Sequence, residues 1–226
     1  MDRVVALTSL EQEAVRRAYW VPRENLEIIG WGASETGGPS PVTRGSTVTI
    51  LCVGRLGRHK GQLWLLDAYR LARQRFNKPA KLVLVGRDEG DEEAIRSLVS
   101  TSGLEEEVVI TGEVSDQELA EWYAASHLFV LFSHYEAFGL VYAEAMLHDL
   151  PVLTHDVGAN REVLPRGALI TPRFDQASAV EGLVRLVNDD DHRTRLGREG
   201  REYALEHLTW SAVAQKYLEL YQRAGR

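Results

Sequence analysis

The sequence predicts an α/β protein built on a doubly wound parallel sheet with helices on both faces. Short runs rich in Val, Ile and Leu recur along the chain, and segments with apolar residues at helical spacing separate them. Strands that are apolar throughout are typical of parallel sheets, because crossover helices bury both faces. Hydrophobic residues make up 44% and charged residues 26% of the 226 residues, which excludes a disordered or fibrous chain.

A shorter segment precedes this alternation. Residues 4–8 predict a strand, residues 10–19 a helix and residues 25–30 a second extended piece. Residues 30–46 are then rich in Gly, Pro, Ser and Thr, which is typical of a linker. We therefore divide the chain into residues 1–46 and a main domain of residues 47–226.

The main domain alternates predicted strands with predicted helices. The strands are expected at residues 47–53, 81–85, 108–111, 128–132, 151–154 and 168–171. The helices are expected at residues 62–76, 91–101, 138–147, 175–187 and 191–206, with two more that begin after Ser115 and Thr209. Ser115 and Glu118 have the spacing of a capping box, and Thr209 is a typical N-cap.

Charge and cysteine content exclude several classes of protein. The net charge of −7, from 26 Lys and Arg against 33 Asp and Glu, is unfavourable for a nucleic-acid partner. The single Cys52 excludes a disulfide framework and a multi-cysteine metal site, so we expect a cytoplasmic, reducing compartment. We expect no bound metal, because His127, His148 and His155 lack ligand spacing. No apolar run is long enough to span a bilayer, no secretory signal is visible, and nothing indicates membrane association.

Two loops follow strands that would be neighbours in such a sheet. Ligands of open α/β sheets lie beyond the carboxyl ends of the strands, where the strand order reverses. For the common order 3-2-1-4-5-6, the loops at that point follow Val53 and Phe132. The first of them, residues 54–61, reads GRLGRHKG. Its glycines let the backbone approach a ligand, and Arg55 and Lys60 are suited to phosphate, although a solvated basic loop is the alternative.

The second loop leads from Ser133 to a predicted helix that starts at Phe138. The free N–H groups at that start would form an anion site. Glu136 lies in the loop, and Glu144 lies six residues into the apolar helix, where a carboxylate is costly unless something pairs with it. Sugar hydroxyls or a nearby basic residue could be that partner. Together the two loops suggest a nucleoside diphosphate as the ligand. One carboxylate would bind its ribose, and the other would bind the group attached to the phosphate far from the ribose.

These residues resemble the Rossmann-like, C-terminal donor-binding domain of the retaining GT-B glycosyltransferases of family 4, also called group 1. The resemblance extends over roughly residues 47–222, and its strongest element is E-x7-E from Glu136 to Glu144. Ala137 and Asp149 stand where this family often has Gly, and residues 30–34 depart from its usual linker. The other matching motifs are Val53-Gly54-Arg55-Leu56 with Lys60-Gly61, Leu84-Val85-Gly86, Thr111-Gly112-Glu113-Val114-Ser115-Asp116, Phe138-Gly139-Leu140, Ala145-Met146, Pro151-Val152 and Gly158-Ala159-Asn160-Arg161-Glu162.

The resemblance implies a role for each matching residue. Glu136 would be the catalytic residue that contacts the donor sugar, Glu144 would hold the ribose hydroxyls, and the backbone near Val114 would help to hold the base. It also implies a hexosyltransferase that retains anomeric configuration, needs no metal or cofactor and uses a UDP-, GDP-, ADP- or dTDP-linked sugar. The implied donor-binding residues are Gly54, Arg55, Lys60, Val114, Ala137, Phe138, Gly139, Leu140 and Glu144.

The resemblance further implies a second half that carries the acceptor site. Residues 1–46 would be the remnant of an N-terminal Rossmann-like domain with the interdomain linker, and that domain or a partner chain would complete the enzyme. We therefore expect weak nucleotide binding and little or no transfer from these 226 residues alone. A non-catalytic nucleotide-binding module, or a subunit of a split transferase, is the alternative. A GT-B epimerase ranks last, since such enzymes lack the E-x7-E pattern.

Overall fold

The computed structural model describes residues 3–34 and 45–224, which form eight strands and nine α-helices. The strands are β1 (Val4–Ala6), β2 (Leu26–Ile28), β3 (Val48–Val53), β4 (Ala80–Val85), β5 (Val108–Gly112), β6 (Leu128–Val130), β7 (Val152–His155) and β8 (Ala168–Thr171). The helices are α1 (Ser9–Tyr19), α2 (Gln62–Ala72), α3 (Glu92–Thr101), α4 (Asp116–Ala125), α5 (Leu140–Leu147), α6 (Asn160–Val163), α7 (Gln176–Asn188), α8 (Asp190–His207) and α9 (Trp210–Ala224).

Six of the strands form one parallel sheet in the order β5-β4-β3-β6-β7-β8. Counted from β3, this is the order 3-2-1-4-5-6, and helices cover both faces. The central strands have no exposed side: Ile50, Leu51 and Phe129 are each 0% exposed. The doubly wound α/β fold is therefore confirmed, and the strand order places the ends of β3 and β6 side by side.

The initial segment forms a small unit with the last helix. β1 and β2 pair in parallel, and Ile29 beside them packs with Val213 and Leu220 of α9 in a second, small apolar cluster. The Ala33 N–H donates to Leu208 O at 2.7 Å, so the chain after β2 lies against the α8–α9 junction. Most of the predicted linker, residues 35–44, falls outside the described residues, and the division at residue 46 stays a prediction.

Several predicted bounds differ from the structure: the helix expected at residues 62–76 ends at Ala72, and the strand expected at residues 128–132 ends at Val130. The helix expected from residue 138 begins at Leu140, because Gly139 takes a left-handed conformation with φ 77° and ends the preceding loop. Phe138 is instead a buried loop residue, 5% exposed, whose ring centroid lies 6.3 Å from that of Trp31. The short helix α6 was not predicted, since a single turn has no periodicity to detect.

The expected helix caps are present. Ser115 and Glu118 form both bonds of the capping box at α4, and Thr209 Oγ1 accepts from the Ala212 N–H at 3.1 Å at the start of α9. Among the residues that the structure describes, no helix combines the length and the apolar character needed to cross a bilayer.

Candidate functional site

The loops after β3 and β6 meet at the carboxyl edge of the sheet. The His134 N–H donates to His59 O at 2.8 Å, and Lys60 Nζ donates to Glu136 Oε1 at 2.5 Å. The Lys60 and Glu136 side chains keep only 18% and 10% of their surface exposed. The sequence predicted that these two distant segments come together, and the structure brings them into direct contact.

Two glycines allow this close approach. Gly61 has φ 72°, and a Cβ there would lie 2.1 Å from Phe132 O. Gly158 has φ 53°, and a Cβ there would lie 1.9 Å from Glu136 O, which also accepts a 3.0 Å bond from the Ala159 N–H. Only glycine combines this backbone conformation with this contact distance. The backbone on both sides of the Lys60–Glu136 pair is therefore closely packed.

Glu136 is a fixed, nearly buried carboxylate. Its Oε1 accepts from Lys60 Nζ and from Ser133 Oγ, the latter at 2.8 Å. A buried charge requires such partners, because removal from water is costly. An ammonium group has three protons, so Lys60 can hold Glu136 and still donate to an anion at the edge of the sheet.

Arg55 does not join that pair. It forms an ion pair with Glu89 in the loop after β4, and its Nη2 lies 3.3 Å from His59 Nε2. His59 Nδ1 is in turn 3.5 Å from Glu89 Oε2. Arg55 remains about half exposed, with 47% of its side-chain surface accessible. Sequence reasoning missed Glu89, because nothing local links residues 34 positions apart.

Gln62, which the sequence analysis also missed, connects the loop after β3 to α2. This side chain is 2% exposed, and its Nε2 donates to Arg55 O at 2.9 Å and to Gly54 O at 3.3 Å. It therefore fixes the backbone on which Gly54 and Arg55 lie. Its Oε1 has no hydrogen-bond partner among the described residues.

The two helices that follow these loops, α2 and α5, lack the side-chain caps that several other helices have. Side chains of Thr8, Ser115, Asp175 and Asp189 cap α1, α4, α7 and α8. Both α2 and α5 instead follow a left-handed glycine, Gly61 or Gly139, and no side chain caps them. First-turn N–H groups without a helical acceptor are a common binding site for phosphate. Because α5 begins at Leu140, Ala137 and Phe138 lie in the loop before these N–H groups.

Glu144 lies further along α5 and lines a hollow of about 330 Å³, which Lys60 and Glu136 do not line. The Tyr123 hydroxyl donates to Glu144 Oε2 at 2.8 Å, and burial raises the pKa of this glutamate above its usual range. Within residues 3–34 and 45–224, no basic side chain forms an ion pair with Glu144. The lining residues of the hollow are Gly32, Ala33, Ser34, Asp116, Leu119, Ala120, Tyr123, Leu140, Glu144, His148 and Trp210.

Val114 is half-buried and lies two residues before Asp116 of the hollow, at the end of the loop after β5. Leu140 links the start of α5 to the hollow, since it is the first residue of this helix and also lines the hollow. The edge with Lys60 and Glu136 and the hollow with Glu144 are thus connected through the first turns of α5. In the part of the chain that the structure describes, no three His, Cys, Asp or Glu side chains are grouped as a metal site requires.

The chain is similar in sequence to known proteins. A family model described as "Glycosyl transferases group 1" matches residues 40–203. The chain is 28% identical, over 98% of its length, to 53% of the mannosylfructose-phosphate synthase of Agrobacterium fabrum. It is 34% identical, over 77% of its length, to 46% of the phosphatidyl-myo-inositol mannosyltransferase of Mycobacterium leprae. The chain therefore spans about half the length of these curated relatives.

A solved structure shows the same fold. HepE of Anabaena, in complex with UDP, matches with a TM-score of 0.86 at 22% identity. The match covers 98% of this chain and 64% of that one.

Proposed function

This chain belongs to the glycosyl transferases of group 1, and on that premise we propose that it is the donor-binding half of a retaining transferase. Its ligand is a nucleoside-diphosphate sugar, which it presents to an acceptor. The observation that carries the proposal is the Lys60–Glu136 pair at the carboxyl edge of the sheet, between two helix N-termini that no side chain caps.

The diphosphate binds where positive charge and free N–H groups are concentrated. Lys60 donates to one phosphate, and Arg55 turns from Glu89 to the other. The loop backbone at Gly54 and from Ala137 to Leu140 contributes N–H groups, with the N-terminal end of α5 behind them. This set neutralises a diphosphate without a metal ion or a further cofactor.

The two carboxylates recognise the two ends of the donor. Glu136, held by Lys60 and Ser133, accepts from hydroxyls of the sugar on the outer phosphate. Glu144 in the hollow accepts from the ribose hydroxyls, and the backbone near Val114 contacts the base. A carboxylate is suited to both tasks, because it offers acceptors only and forms strong charge-assisted hydrogen bonds.

In the transfer step the bond between the anomeric carbon and the diphosphate oxygen breaks, and the acceptor oxygen bonds to the same face of that carbon. Attack on that face retains the configuration, and the departing phosphate oxygen takes the acceptor proton. Negative charge develops on the diphosphate as it leaves, and Arg55, Lys60 and the start of α5 stabilise it.

The acceptor groups come from a second Rossmann-like domain, on the same polypeptide or on a partner chain. The length covered in the relatives, about half, supports this part of the proposal. We expect residues 1–226 alone to bind a nucleotide weakly and to transfer sugar poorly or not at all.

Titration calorimetry of the 226-residue chain with UDP, GDP, ADP and dTDP tests the donor site. We expect one base to be preferred, and Lys60→Met to weaken that binding by roughly tenfold, as the loss of a charged hydrogen bond does. Lys81→Met removes the same charge from an exposed position near the start of β4 and is the matched control. Absence of binding by all four nucleotides would refute the proposal.

Glu136→Ala separates a transferase from a non-catalytic nucleotide-binding module. In the enzyme completed by its acceptor half, this change should abolish transfer and leave most nucleotide binding intact. A pull-down that recovers a separate Rossmann-like chain would identify this protein as one subunit of a split transferase.

A further inference from the structure

A buried phenol lies against the carboxylate that we assign to the ribose. Tyr123 of α4 is 2% exposed, and its hydroxyl donates to Glu144 Oε2 at 2.8 Å. Aromatic rings hold the phenol in place: the His148 centroid lies 5.2 Å away with the planes 19° apart, and the Phe129 centroid 6.1 Å away at 27°. One oxygen of Glu144 is therefore fixed by a rigid group on a different helix.

Glu144 needs such a partner because its own helix offers none. It lies half-buried among apolar residues of α5, and burial raises its pKa whereas the phenol acts in the opposite direction. Its Oε1 has no hydrogen-bond partner within the described parts of the chain, and the residue lines the hollow. A carboxylate held by one oxygen presents the other in a defined direction.

We propose that Tyr123 is a positioning residue for nucleoside recognition. Its hydroxyl holds Glu144 Oε2 so that Oε1 is preoriented to accept from a ribose hydroxyl. This inference rests on the proposed function, since it requires Glu144 to meet the ribose. Tyr123 acts through Glu144, so its loss should affect recognition of the ribose and leave phosphate binding intact.

The test compares ribonucleotide with deoxyribonucleotide in Tyr123→Phe. Calorimetry gives the Kd of UDP or GDP, whichever the chain binds more tightly, and of its 2′-deoxy form. The ratio of the two Kd values isolates the 2′-hydroxyl, and a general loss of stability would not change it. We expect a ratio of roughly tenfold in the wild type, as for a hydrogen bond to a charged group, and of roughly threefold or less in the variant.

Tyr142→Phe is the matched control. Tyr142 is fully buried on α5, and its hydroxyl bonds to Thr154 Oγ1 at 3.1 Å, so the change also removes one buried phenol hydrogen bond. We expect it to keep the wild-type ratio. Glu144→Ala should bring the ratio to about one, which tests the proposed role of Glu144 itself.

The outcomes separate the two proposals. If Glu144→Ala abolishes the preference for ribose and Tyr123→Phe leaves it at the wild-type value, the positioning role is wrong and the proposed function stands. If Glu144→Ala also leaves the ratio unchanged, the ribose role of Glu144 fails and the inference fails with it. Absence of nucleotide binding in the wild type refutes both.

Discussion

Glu89 is the ion-pair partner of Arg55, a side chain that the proposed donor site needs in order to bind phosphate. The two form an ion pair, and the loop that carries Glu89 is fixed to the loop of Arg55 by the Glu89 N–H bond to Leu56 O at 2.9 Å. A carboxylate in this position competes with a phosphate for the same guanidinium. Without a ligand, Glu89 therefore holds Arg55, and a phosphate must displace this carboxylate in order to bind Arg55.

Removing this competition should strengthen binding. We expect Glu89→Gln to lower the Kd of a nucleoside diphosphate by roughly threefold, because half-exposed ion pairs contribute little and one repulsive charge is lost. Glu93→Gln, an exposed acid on α3, is the control for net charge. The gain should shrink at high salt. Weaker binding in Glu89→Gln would mean that Glu89 instead helps Arg55 to meet the phosphate.

His155 makes stability depend on pH. Its ring is fully buried, with Nε2 2.9 Å from Ser133 O and Nδ1 accepting from the Phe174 N–H at 3.4 Å. Burial lowers its pKa below the usual 6.5, and His134 and Arg173 nearby add to this. As the pH falls from 6.5 toward this lowered pKa, the unfolded chain binds a proton more readily than the folded chain, so this residue destabilises the fold.

His155→Gln tests this dependence. Glutamine keeps an N–H donor for Ser133 O but does not titrate. We expect the wild type to have the higher unfolding free energy. Its difference from the variant should be largest above about pH 6.5 and should decrease in more acidic solution. Urea denaturation across this pH range measures it, and a difference that is constant with pH would contradict the prediction.

At the scale of elements, the start of α4 depends on one serine. Ser115 Oγ accepts from the Glu118 N–H, and the Glu118 side chain accepts from the Ser115 N–H at 2.9 Å. Ser115→Ala should lower the unfolding free energy by about 1 kcal/mol, the usual cost of losing an N-cap. Ser97→Ala on the exposed face of α3 is the control and should cost nothing. Equal stability of the two variants would show that the cap is redundant here.

Elements with strong local signals were predictable, and those decided by tertiary contacts were not. The buried strands and the cap at Ser115 follow from apolar runs and local hydrogen bonds. α5 begins at Leu140 rather than at residue 138 because Gly139 takes a left-handed conformation, which the spacing of apolar residues does not reveal.

In the site, too, contacts set by strand order were predictable, and contacts set by the packing of loops and helices were not. The meeting of Lys60 and Glu136 follows from strand order, since the ends of β3 and β6 must be neighbours. The Arg55–Glu89 and Tyr123–Glu144 contacts depend on how loops and helices pack, and no local pattern signals either pair.

At the scale of the whole molecule, the residues that the structure describes form two apolar clusters of very different size. The main one surrounds the six-stranded sheet, and the other joins Ile29, Val213 and Leu220, with Val5 and Tyr217 against it. The donor-site loops are attached to the main cluster. Stability of the small cluster should therefore be separable from the binding of nucleotide.

Leu220→Ala tests this separation. Leu220 is 3% exposed, and its truncation should cost about 2 kcal/mol or more, as for other buried leucines. In hydrogen exchange we expect faster exchange in β1, β2 and α9, with unchanged protection in β3 and β6. The Kd for nucleoside diphosphate should stay within about twofold, because none of the five cluster residues lines the hollow, which this unit reaches only through residues 32–34 and Trp210 among the described residues. A matched Leu183→Ala in α7, at 0% exposed in the main cluster, should instead lower protection throughout the large sheet. Parallel loss of protection in both clusters in Leu220→Ala would show that the molecule unfolds as one unit.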